Sequence, residues 1–205
     1  FRPIRVAASH RILRADRRCR VGLFVGQGCL DHAPLVTRVA EMLQAPVATT
    51  VSGKGAIDAF HPLSVGWGYG PAASSVAEKA FAHVDIVLAV SVRYSEVSTG
   101  FYSIPEHKCV IQVDSCADNI GQVVKVAAGV NSDAGLFLDR LLAEEARLAR
   151  PLNPVLPNDI AKWRHQQEKA FHASHQKRKS TGIDPMDLVL ALRERRACDS
   201  LMFVD

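Results

Sequence analysis

Two glycines end the first apolar run of the chain, VGLFVGQG (Val21 to Gly28), and an amphipathic stretch follows from about Asp31. A short apolar run that opens through glycines into a helix is the start of a βα unit, with its turn at the carboxyl end of the strand. Backbone N–H groups and a helix N-terminus converge at such a turn, so the chemistry it could do is to bind an anion, above all a phosphate. The spacing stops short of the dinucleotide fingerprint, because the third glycine of G-x-G-x-x-G falls at Asp31, an acid. Gly26 and Gly28 alone therefore read first as a tight turn and second as a phosphate cradle. Lys54 stands between Gly53 and Gly55, where it could touch phosphate or merely serve loop shape. His61, before Pro62 and Leu63, has no acid or nucleophile at a suggestive spacing and reads as a turn histidine. No Ser-His-Asp or Cys-His constellation is arguable, so no catalytic residue is assigned.

The remaining chemistry-bearing residues narrow the class further. The five cysteines (Cys19, Cys29, Cys109, Cys116 and Cys198) include no C-x-x-C pair, and the eight histidines show no ligand spacing. That pattern suits a reducing cytoplasm and implies neither a disulfide framework nor a metal site. No apolar run approaches the roughly 20 residues of a membrane span. The N-terminal stretch FRPIRVAASHRILRADRR lacks an apolar signal core; its interleaved arginines are compatible with mitochondrial targeting, but a structural helix leading into the first strand is the better reading.

A chain of 205 residues, 48% apolar and 22% charged, is an ordinary globular domain with room for appendages. The pattern predicts a helix over 3–18, a strand at 21–25 and a helix from about Asp31 to Leu43 that buries Val36, Val39, Ala40 and Leu43. A second strand follows at 45–50, then a long glycine-rich loop over 51–71 with neither helical nor strand period. A helix over 72–83 faces inward through Val76, Ala77, Ala80 and Phe81, and DIVLAVSV (85–92) is apolar on both faces, as in a helix-covered parallel sheet. Strands at 109–114 and 123–130 and a helix from Ser132, its expected cap, complete a doubly wound α/β domain. The expected organisation is a leading helix over 1–20, a central Rossmann-like domain over 21–150, a linker over 151–182 and the start of a further domain over 183–205.

The linker carries six Lys or Arg against two acids, matching the whole net charge of +4. Trp163 and Phe171 share a helical spacing within it, but no nucleic-acid motif accompanies them, so a solvated or subunit-facing linker is the expectation. Beyond it, DPMDLVLALRERR and SLMFVD read as a helix and one apolar strand, which cannot bury themselves alone. The expectation is a piece of something longer.

Several segments, APVATTVSGKGAIDAFHPLSVGWGYGP, DIVLAVSVRYSEVSTGFYS, VIQVD and NSDAGLFLDRLL, follow one another in an order that resembles the thiamine-diphosphate-dependent enzymes. The resemblance is to the central domain of the acetolactate synthase-like group, which includes related decarboxylases and carboligases. It implies that the full parent uses thiamine diphosphate and Mg2+ to cleave beside a 2-oxo-acid carbonyl, through groups in domains before and after this one. It also implies a homodimer or homotetramer, and a chain that is not catalytic by itself. The competing classes are a free-standing FAD- or ADP-binding module of electron-transfer type and an NAD-dependent deacylase.

In flavin-bearing members of that group FAD lies along the carboxyl ends of the strands. The matching positions are Gly26, Gln27 and Gly28, then Thr50, Val51, Ser52 and Gly53, and finally Arg93, Asp114 and Asp133. Arg93 could pair with a pyrophosphate and Asp114 accept from ribose or adenine; equally, Arg93 could pair with Glu96, and Asp133 could be an acid favoured at a helix N-terminus. The synthase pattern G-x-R-F-D-D-R-V-T-G is replaced by SVRYSEVSTG, with Ser91, Glu96 and Val97 departing from it, and an M-H-G segment is shortened to WGYGP. These departures weigh against FAD, while ADP, coenzyme A or an empty site stay open.

Overall fold

The computed structural model describes residues 6–15, 18–96, 99, 102–103, 109–176, 182 and 184–197. Apolar residues at period two build its sheet. Along β1 (Val21–Val25), Val21, Leu23 and Val25 join one core cluster and Phe24 the other. Along β4 (Ile86–Val90), Ile86, Leu88 and Val90 face the first cluster, and Val87 and Ala89 the second. Side chains alternate across a strand, so an all-apolar strand is stable only with both faces covered.

Helices supply that cover. With β2 (Val47–Thr49), β3 (Ser64–Trp67), β5 (Cys109–Asp114) and β6 (Ala128–Asn131), the sheet runs in the order β3-β2-β1-β4-β5-β6, every neighbouring pair parallel. One face buries α2 (Ala33–Leu43) through Val36, Val39 and Leu43, and α4 (Ala134–Leu142) through Phe137, Leu138 and Leu141, together with Leu13 of α1 (Val6–Ala15). The other buries α3 (Ser75–Phe81) through Val76, Ala77, Ala80 and Phe81. A short α5 (Glu145–Leu148) follows α4. The expected doubly wound α/β fold is the one found.

Several local expectations shift for physical reasons. The segment Gln27–His32 winds as a 3-10 helix, so α2 begins only at Ala33 and takes Pro34 in its first turn. The loop expected over 51–71 contains β3, whose pairing slips between Val47 and Ala48 where Gly66 adopts φ +88°. The last strand covers 128–131 instead of 123–130, because its pairing with β5 begins at Ala128 opposite Ile111. The cap of α4 is Asp133, whose carboxylate accepts from Leu136 N at 3.1 Å, and not Ser132.

The chain divides into two units, residues 1–167 and 168–205. In the first, the opening half of α6 (Val155–Gln176) puts Ile160 fully inside the second core cluster, with Leu156 and Trp163 beside it. Arg164 donates through Nη2 to the carbonyls of His61 (2.7 Å) and Ser64, fastening the loop that leads into β3. In the second unit, α7 (Pro185–Arg195) forms where DPMDLVLALRERR predicted a helix. The strand expected over 201–205 lies outside the described residues, as do Val97 and Gly100 of the compared loop.

Candidate functional site

Strand order places the site. From β1 the chain moves outward through β2 to β3, then returns to β4 on the opposite side of β1, so the crevice between the loops after β1 and β4 is a topological switch point. A cavity of about 820 Å3 occupies this carboxyl end. Gln27, Gly28 and Asp31 reach it from the turn after β1, and Thr50, Val51 and Ser52 from the turn after β2. Ser91, Arg93 and Ser95 come from beyond β4, while Asp114, Ser115, Cys116 and Asn119 come from the end of β5.

The glycines of this end make close joints. A Cβ on Gly26 would lie 1.8 Å from the carbonyl oxygen of Ser91, one on Gly28 2.6 Å from Ser91 Oγ, and one on Gly53 2.5 Å from the carbonyl oxygen of Val25. Gly26 N also donates to Val90 O at 2.9 Å, and Thr50 N to Val25 O at 2.9 Å. Thr50 Oγ1 accepts from Gly53 N at 3.0 Å, which closes the turn after β2. The turns after β1 and β2 are thus held by main-chain contacts and the Thr50 hydroxyl, and Gln27, Ser52 and Arg93 project exposed around the cavity.

The loop after β5 is held by two buried polar side chains. Gln112, 1% exposed, donates to the carbonyls of Val92 (2.9 Å) and Asn119 (3.2 Å) and accepts from Gly121 N (2.9 Å). Asp114, also buried, accepts at Oδ1 from Cys116 N (2.8 Å) and Asn119 Nδ2 (3.0 Å). A buried amide or carboxylate is tolerated only when so partnered. Cys29, beneath the first turn, donates to Val90 O at 3.6 Å, and burial pushes its thiol up to about 12, so it is an inert core residue.

Of the ten positions suggested by the sequence, Gln27, Gly28, Thr50, Val51, Ser52, Arg93 and Asp114 line one cavity. Gly26 and Gly53 stand behind it as joints, and Asp133 caps α4 at a distance from its lining. Arg93 makes no ion pair with Glu96 or any other described residue. Lys54 is exposed outside the lining, and His61 accepts from Leu63 N at Nδ1 (3.2 Å), a turn role. The residues that sequence reasoning missed are Asp31, Ser91, Ser95, Ser115, Cys116 and Asn119. Asp31 and Ser91 carried a signal, since each stands where a glycine pattern breaks; Asn119 reaches the site only through its bonds to Gln112 and Asp114.

Residues 7–141 match the family described as "Thiamine pyrophosphate enzyme, central domain". The acetolactate synthase large subunit of Parasynechococcus marenigrum is 27% identical to the chain over 208 residues, covering 99% of the chain and 32% of that protein. The probable acetolactate synthase large subunit of Methanocaldococcus jannaschii is 35% identical over 108 residues, covering 52% of the chain and 18% of its own length. A sulfoacetaldehyde acetyltransferase of Alcaligenes xylosoxydans xylosoxydans is 37% identical over 108 residues, covering 51% and 18%. The chain spans about a third or less of the curated relatives it matches. With the match running from α1 into α4, across the whole sheet, the chain belongs to the thiamine pyrophosphate enzyme family, as its central domain.

Proposed function

We propose that this chain is the central, scaffold-forming domain of a thiamine-diphosphate- and Mg2+-dependent enzyme that decarboxylates 2-oxo acids or condenses the resulting carbanion with an acceptor. The family match over 7–141 supports this reading over a free-standing flavin module or an NAD-dependent deacylase. The residues present do not fit thiamine diphosphate or its metal: among the described residues no three His, Cys, Asp or Glu converge as a metal cage. Those groups belong to the parent's flanking domains, and this chain is inactive without them. The parent is a cytoplasmic homodimer or homotetramer. No helix among the described residues is long and apolar enough to cross a membrane.

The chain's own binding function resides in the cavity at the carboxyl end of the sheet. The observation that carries this is the convergence of Gln27, Gly28, Thr50, Val51, Ser52, Arg93 and Asp114 on one space at the switch point, where doubly wound sheets hold nucleotides. Flavin is disfavoured there by Ser91 and Glu96. Titration with FAD, followed by flavin fluorescence with ADP and coenzyme A as competitors, tests the reading. The expected result is no saturable flavin quenching at micromolar concentration. Saturable quenching would make the parent a flavin-bearing synthase, with Arg93 and Asp114 on the flavin.

A further inference from the structure

Resting on the reading of this cavity as a nucleotide-type site, we propose that it is built for an uncharged nucleoside and rejects a diphosphate, with Asp31 as the discriminating residue. Four features of the first turn carry the proposal. A phosphate site after the first strand of such a sheet needs backbone brought close to the ligand and a helix N-terminus aimed at it. Here the Cβ side of Gly26 is filled by the Ser91 carbonyl and that of Gly28 by the Ser91 side chain, so both glycines pack against the chain itself. The α-helical N-terminus is displaced to Ala33 by the 3-10 segment Gln27–His32. Pro34, at the second helical position, has no N–H to offer. Asp31 itself, exposed on that segment, lines the cavity at the point where the third glycine of a phosphate-binding turn would stand.

Charge points the same way. The lining holds two carboxylates, Asp31 and Asp114, against one guanidinium, Arg93. A diphosphate in this cavity faces two carboxylates against one cation, whereas ribose hydroxyls are donors that a carboxylate such as Asp114 accepts. Asp114 lines the cavity and receives both of its hydrogen bonds at Oδ1, so Oδ2 accepts from no described residue and is available to a hydroxyl. Ser52, Ser91, Ser95 and Ser115 add hydroxyls suited to a neutral polar ligand.

The test is isothermal titration of the full 205-residue chain and its Asp31→Asn variant with adenosine and with ADP. Asp31 is exposed and makes no hydrogen bond to another described residue, so the variant retains the fold. Adenosine is expected to bind the native chain at least about tenfold more tightly than ADP, and Asp31→Asn to tighten ADP about tenfold relative to adenosine. If the native chain binds ADP as tightly as adenosine, the site stands and selection by charge is overturned. If neither protein binds either ligand, the site reading itself fails and the inference falls with it.

Discussion

The two ends of the sheet are both polar, yet they are held in opposite ways. At the amino end, where α1, α2 and α4 finish, charged side chains tie the helices together. Glu144 accepts from His10 Nδ1 at 3.0 Å and pairs with Arg14, while Arg150 donates from Nη2 to Leu13 O at 2.8 Å and from its backbone N to Met42 O at 2.8 Å. Burial, then Arg14 and Arg140, hold the His10 imidazole below its ordinary value. At the carboxyl end no ion pair forms among the described residues: Gly26 and Gly53 abut carbonyls, and Thr50, Gln112 and Asp114 hydrogen-bond backbone groups of the loops. Charged side chains spent on one another are not free to meet a ligand. Asp31 and Arg93 stay outside any such pair, and the cavity lies at their end.

The largest expected effect strikes the backbone joints. Gly26→Ala puts a methyl 1.8 Å from Ser91 O, on a residue whose N donates to Val113 O at 2.8 Å, and neither partner is a flexible side-chain tip. A loss of about 3 kcal/mol or more is expected in urea unfolding. A loss well under 1 kcal/mol would mean that the carboxyl end is looser than its geometry, and the contrast with the amino end would collapse.

An intermediate effect is expected from the amino end. Glu144→Ala removes the acceptor of buried His10 and the partner of Arg14, for a loss of about 2 kcal/mol. Ligand affinity at the cavity should not move, because the two ends share no side chain. Equal damage to stability and binding would show that the sheet transmits what its ends do, and would break the division drawn between them.

How much of this was legible in the chain follows from the same contrast. Apolar periodicity announced β1, β4, β5 and the buried faces of α2 and α3, because covered parallel strands need continuous apolar runs. The short edge strand Ser64–Trp67 was not legible: four residues around a glycine at φ +88° carry no period, and their pairing depends on a neighbour and on Arg164 from a distant helix. The start of β6 was misread because the valines at 123, 124 and 126 look like strand, while Val123 is in fact 44% exposed before the pairing begins. At the site, Gly26 and Gly28 signalled a turn, but that their open sides face Ser91 and not the cavity is a tertiary fact. Ser115, Cys116 and Asn119 reach the lining through hydrogen bonds that no spacing encodes.

The smallest expected effect has the opposite sign and tests the junction of the first and fourth strands most finely. Ser91 adopts φ +55°, a left-handed conformation in which a Cβ is crowded, and it stands where the compared synthase pattern has glycine. Ser91→Gly should stabilise the chain by about 0.5–1 kcal/mol, the relief of strain exceeding the extra freedom that glycine has when unfolded. Its backbone carbonyl, which Gly26 abuts, is retained, so the joint itself survives. A serine kept at such a position at a cost in stability is doing something glycine cannot, and the Oγ that faces Gly28 in the cavity wall is the only group it adds. If Ser91→Gly gains stability and weakens adenosine binding together, that hydroxyl belongs to the ligand. If stability falls instead, the hydroxyl belongs to the turn and not to the ligand.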